Sequence, residues 1–137
     1  IFLNREMIEA VRQLKQSKLI LEVDFFLTPM QVQEQKDERP YFAYMLMLVD
    51  HNSGFVIGFE SMGAVPSFAD MMAQLPQAFL SILAKNEMRP RQIQVQTKRT
   101  SHYLMPVCDA LQIKISPTHF LPFLEEAKSE FFNFLER

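Results

Sequence analysis

Asp24 is the side chain here with the strongest claim to chemistry. It stands in Leu19-Ile20-Leu21-Glu22-Val23-Asp24-Phe25-Phe26-Leu27, a run dominated by branched and aromatic residues. A carboxylate among such neighbours is costly to desolvate unless a metal or a cation partners it. Asp24 therefore reads equally as a metal ligand or as half of an ion pair, with Lys98 one candidate for the cation. Lys85, Arg89, Arg91, Lys98 and Arg99 cluster around a short apolar stretch. They form a candidate phosphate-binding edge, for which a solvated loop is the plainer reading and only His102 and Tyr103 offer stacking rings. Asp50, before His51-Asn52-Ser53-Gly54, suits a turn, because aspartate there bonds nearby backbone N–H groups. His51, His102 and His119 lack the HxxxH-like spacing of a zinc site. Cys108 lies in a helical apolar pattern and reads as a core thiol rather than a nucleophile. Glu125, Glu126 and Glu130 near the end of the chain read most simply as a solvated helix face, and the nine methionines as packing filler.

The elements that must position these groups follow from period and punctuation. Asn4 caps a helix over about residues 5–16, with Met7, Ile8, Val11 and Leu14 in one stripe. Leu19 to Val32 is a long strand with Glu22, Asp24, Phe26 and Thr28 on one face and Leu21, Val23, Phe25 and Leu27 on the other. Glu34 to Arg39 is a charged exposed turn. Phe42 to Val49 is nearly all apolar, as for a strand buried on both faces. The His51–Gly54 hairpin turn leads into a third strand over Phe55–Glu60. Phe68, Met71, Met72, Leu75, Phe79, Ile82 and Leu83 keep helical spacing, and Pro76 is expected to kink or split that helix. A strand at Ile93–Thr97, a helix at His102–Leu111 strained by Pro106, and a strand at Ile113–Ser116 follow. Phe120, Phe123, Leu124, Ala127, Phe131, Phe134 and Leu135 then make a final amphipathic helix. The order β-β-β-α-β-α-β-α specifies an α/β domain with a mixed sheet.

Composition bounds the function. The chain has 137 residues, 48% hydrophobic and 22% charged, which suits one globular domain. A net charge of −2 gives no global case for nucleic acid. The single cysteine excludes an intramolecular disulfide and suits a reducing compartment. With no signal segment and no membrane-length apolar run, a cytoplasmic location is expected. The chain starts at Ile1 and stops at Arg137 straight after a helical pattern. It is expected to be a single domain, with an N-terminal helix over 1–18 and a core over 19–137, excised from a longer chain.

Order and motifs together resemble the ribonuclease H-like superfamily, in its retroviral integrase and transposase core branch. Leu21-Glu22-Val23-Asp24 resembles the first strand with its catalytic aspartate. Met47-Leu48-Val49-Asp50 through Ser53-Gly54-Phe55-Val56-Ile57-Gly58 resembles the second strand, turn and third strand. Arg89-Pro90 with Val95 to Tyr103 resembles the stretch carrying the second aspartate, and Leu111-Gln112-Ile113 the link into the last strand. The resemblance spans roughly residues 19–130. The chain also resembles an uncharacterised bacterial domain family of unknown function, from which no activity carries over. The fold implied is a five-stranded mixed sheet, a three-stranded antiparallel meander plus two parallel strands, with flanking helices and an extra N-terminal helix.

The chemistry implied is phosphodiester cleavage by two cations about 4 Å apart, held by carboxylates. Asp24 would supply the bridging ligand. The second acid position is Lys98, whose ammonium cannot ligate a cation and repels one by several kcal/mol at short range, an order-of-magnitude figure for a poorly screened site. The third acid would come from the last helix, where Glu126 and Glu130 fall nearer the apolar face than Glu125 at about 100° per residue. Three expectations follow. The first is a non-catalytic ribonuclease H-like module with a degenerate site, which binds a protein partner or a flanking domain and needs no cofactor. The second is a magnesium- or manganese-dependent nuclease or transposase-like enzyme using Asp24, Glu126 or Glu130, and a further acid such as Glu60. Nucleic-acid binding without cutting, through Lys98 and Arg99, is a third; a membrane partner is not expected.

Overall fold

The computed structural model describes residues 3–33 and 35–136, so Glu34 of the charged turn lies outside them, and 35–39 are exposed. The element order is α1 (Arg5–Arg12), β1 (Ile20–Val32), β2 (Tyr41–Asp50), β3 (Val56–Met62), α2 (Phe68–Lys85), β4 (Gln92–Val95), α3 (Lys98–Leu111), β5 (Lys114–Pro117) and α4 (Pro122–Leu135). The five strands form one sheet in the order β3-β2-β1-β4-β5. β1, β2 and β3 pair antiparallel, while β4 and β5 run parallel to β1. This is the mixed sheet the motif order implies.

Alternation along β1 sorts the two faces of the sheet. Leu21, Val23 and Phe25 pack with Leu46, Leu48 and buried residues of α1, α2 and α3. Phe26 packs with Met45, Met47 and Val49 under Leu121 and Leu124 of the α4 side. β2 lies between β1 and β3 with helices on both sides, so Met45 to Val49 are all buried. Glu22 and Asp24 follow the parity of Phe26 and face α4. Pro29 sits where the β1–β2 register shifts between Leu27 and Gln31, which absorbs its missing N–H.

Several expected boundaries move for local reasons. α1 ends at Arg12 rather than near 16. α3 begins at Lys98, well before His102, because the Thr97 hydroxyl accepts from Thr100 N and caps it. Lys98 is thus the first helical residue, not a strand end. Pro76 does not split α2, which continues through it as one helix with Pro76 itself buried. Phe120 and Phe134 stand outside the last helix's packed stripe, 59% and 65% exposed. Among the described residues no helix is long and apolar enough to cross a membrane.

Candidate functional site

The gap between β1, the β2–β3 turn and the first turn of α4 is organised by Glu22. Its side chain is fully buried. Oε1 accepts from the backbone N–H of Leu124 at 2.8 Å, and Oε2 lies 2.7 Å from Nδ1 of His51. α4 opens at Leu121 without a side-chain cap, so Glu22 satisfies an amide of its first turn from across the structure. His51 is held in turn by its own N–H on Ile20 O at 2.9 Å. Asp50 shapes the turn, with Oδ1 accepting from Asn52 N and Oδ2 from the Ser53 hydroxyl. Gly54 completes it at φ +77°, and a Cβ there would stand 2.8 Å from Cδ1 of Phe123 on α4. Nothing in the sequence pattern singles out Glu22 beyond its parity with Asp24, which places it on the same face.

Asp24 lies one pleat further along β1 and is 8% exposed. Burial raises its pKa above the usual carboxylate value, and the Glu125 charge adds to that. The Phe25 backbone N–H and the Lys128 charge pull the other way without outweighing burial. Among the described residues no ion pair within 4 Å involves Asp24, and Lys98 does not reach it. The cation whose field it feels is Lys128, whose Nζ lies 4.7 Å from the Phe26 ring centroid and 5.9 Å from that of Phe132.

The rotation of α4 decides which glutamate looks inward. Leu121, Glu125, Lys128 and Phe132 share the stripe over β1, where Phe132 meets Phe26 edge-on at 5.9 Å. Glu125 is half-buried on that stripe. Glu126 and Glu130 are exposed on the next one and line a groove with Ser53, Gly54 and Phe123. The expected preference for Glu126 and Glu130 over Glu125 is therefore reversed. Glu60 pairs with Leu46 and shares that residue's face, so the sheet lies between it and Asp24. Among the described residues no three His, Cys, Asp or Glu side chains converge as a metal site.

The five basic residues do not share one edge. Arg89 and Arg91 precede β4, whereas Lys98 and Arg99 follow it at the opposite end. Lys85 ends α2 and borders the cleft between α2 and β3. The Arg89 guanidinium is consumed by hydrogen bonds to Leu111 O, Arg12 O, Leu14 O and Gln112 Oε1. Arg99 lies over Phe68, 5.1 Å from its centroid. Lys98 lines a separate cavity with His102 and His119. Cys108 is fully buried, and burial with the Asp109 charge pushes its thiol up to about 12, so it holds no reactive thiolate near neutral pH.

Because burial raises the Asp24 carboxyl, its ionisation opposes folding. The folded protein holds that proton to higher pH than the unfolded chain, so stability is lost as pH rises through the raised folded value and is restored below 3.8. Asp24→Asn is accordingly expected to melt higher than the parent at neutral pH. Its advantage should shrink towards pH 4. Melting curves of both proteins across this range check it, and an advantage that grows in acid would overturn it.

Comparisons with known proteins place this arrangement in a fold. The chain superimposes on the magnesium-bound HTLV-2 integrase catalytic core, in its trimeric form, with a TM-score of 0.59 and 17% identity, over 88% of this chain and 71% of that one. The dimeric form gives 0.58 and 17%, over 90% and 73%. A chain of the simian T-cell lymphotropic virus intasome gives 0.59 at 13% identity, with 85% of this chain covering 40% of that one. The fold is that of the integrase cores, ribonuclease H-like. A search of curated proteins by sequence gives no match. One family model matches, over residues 7–132.

Proposed function

The chain belongs to the family described as a domain of unknown function (DUF6930), and within it we propose that this protein is a non-catalytic ribonuclease H-like module that binds a protein partner or a neighbouring domain. The observation that carries this reading is the company Asp24 keeps: Glu125 and Lys128 above it, and Lys98 turned to a different cavity. A two-cation centre needs several ionised carboxylates aimed at one point. Here Asp24 is buried with Glu125 and Lys128 as its charged neighbours, and both oxygens of Glu22 are engaged. Lys98, which the resemblance puts at the second acid position, carries a positive charge. These residues do not fit a pair of magnesium ions. What remains is a rigid sheet with an α4 face locked from below, suited to presenting surfaces rather than to bond cleavage. The single cysteine, which can form no intramolecular disulfide, suits a cytoplasmic setting.

The test is a cation titration followed by calorimetry and by backbone NMR. Neither magnesium nor manganese is expected to bind saturably below about 1 mM, the weak end of protein cation sites. Saturable binding that Asp24→Ala removes would replace this reading with the metal-dependent nuclease, with Glu125 as its helix ligand in place of Glu126 or Glu130. Nucleic-acid binding without cleavage, the other alternative, would show as salt-sensitive binding of DNA or RNA lost on Lys98→Glu with Arg99→Glu.

A further inference from the structure

We propose that the cavity at the carboxyl ends of β4 and β5 binds a small organic anion, its charged head on Lys98, His102 and His119 and a short apolar body on Met105, Val95 and Pro117. The cavity holds about 570 Å³, within the range of roughly 300–1,000 Å³ usual for small-molecule sites. It is set by topology. The β4–α3–β5 crossover brings the start of α3 and the loop after β5 over the same two strand ends, where ligands of parallel sheets are commonly held. The loop carrying His119 is fastened in place, with Thr118 N donating to Val95 O and Gln96 Nε2 donating to His119 O, both at 2.9 Å.

Charge selects the class of ligand. The protein has 16 acidic and 14 basic residues, yet among the described residues no aspartate or glutamate lines this cavity. Among the described residues the Lys98 ammonium has no hydrogen-bond or ion-pair partner, and neither has the Ser101 hydroxyl beside it. The first turns of α1, α2 and α4 each contain an acid, Glu6, Asp70 and Glu125, while that of α3 contains none. The helix end beneath Lys98 therefore adds to its field instead of offsetting it. Met105 stands 48% exposed on the same wall with Pro117, so an anion with no hydrocarbon would leave the apolar half uncovered. This inference does not depend on whether Asp24 binds metal, since Asp24 lies under α4 and borders no part of the cavity.

The three histidines make the site readable. Imidazole carbon–proton NMR signals of the whole chain should be followed during titration with hexyl phosphate, hexanoate, inorganic phosphate and hexanol. At least one of the two alkyl anions should shift His102 and His119 saturably while leaving His51, which is bonded to Glu22, in place. Their ranking tells a phosphate head from a carboxylate head. The better alkyl anion should bind about tenfold or more tightly than inorganic phosphate or hexanol, because it engages both halves. Lys98→Glu should weaken it about tenfold or more, and Lys98→Arg should retain it. An unmoved His51 signal in each variant verifies the fold. Equal binding of hexanol, equal binding of inorganic phosphate, full affinity in Lys98→Glu, or no shift with any probe would each overturn the proposal.

Discussion

Glu22→Ala is expected to destabilise the fold by about 4 kcal/mol, on the order of 10 °C in Tm for a chain of this size. The substitution removes two bonds at once. It strands the Leu124 amide in the first turn of a helix with no local cap, and it leaves His51 facing an empty buried space. A buried amide deprived of its partner costs roughly 1–3 kcal/mol, His51 at 32% exposed adds less, and the missing side chain leaves a cavity. Glu22→Gln keeps an acceptor for Leu124 and a second polar atom for His51, so it should lose about half as much. Thermal and urea unfolding of the three proteins decide it. A loss in Glu22→Ala no larger than the ~0.5 kcal/mol of an ordinary surface change would mean that Glu22 ties nothing together.

Arg89→Ala should lose about 3 kcal/mol, and Arg89→Lys should recover little of it. The guanidinium reaches Leu111 O at 2.9 Å, Leu14 O at 3.2 Å and Gln112 Oε1 at 2.9 Å, with a longer contact to Arg12 O at 3.4 Å. These carbonyls lie where α1 and α3 run out, and Gln112 itself turns left-handed at φ +57° to end α3. One cation thus gathers the negative ends of two helices, and a charged donor is worth roughly 1.5–3 kcal/mol in such bonds. A lysine ammonium has no planar fork with which to span partners on two elements. Full recovery in Arg89→Lys would show that charge alone matters there.

How much of this was legible depended on how far each inference had to reach. Period-two alternation placed Glu22 and Asp24 on one face of β1, and the Asp50 turn was readable because its partners lie within three residues. The order of strands and helices carried the fold. What failed needed the docking of distant elements. Which of Glu125, Glu126 and Glu130 looks inward depends on how Leu124 and Phe132 seat on β1, a rotation that the helix's own pattern leaves open. Lys128 went unnoticed for the same reason. Arg89 looked like one of five surface cations until α1 and α3 ended beside it. The expected pairing of Lys98 with Asp24 is not in the geometry, because Lys98 opens α3 and lines a different cavity. The start of α3 was missed although Thr97 and Thr100 signal a cap, because the strand pattern before them was followed one step too far.

The bond from Leu124 to Glu22 joins residues 102 positions apart. It makes the last helix a latecomer. α4 has no start signal of its own at Leu121, so its first turn is completed only when β1 already stands in the sheet. During synthesis β1 leaves the ribosome long before α4, and until then the Glu22 carboxylate must stay in water. On the α4 face of the sheet a buried acid, a partly exposed imidazole and a helix amide are thereby joined. Contacts between such distant parts of a chain are the slow ones to form. Phe26, Met45, Met47 and Val49 share that face, and without α4 over them they would lie open to neighbouring chains.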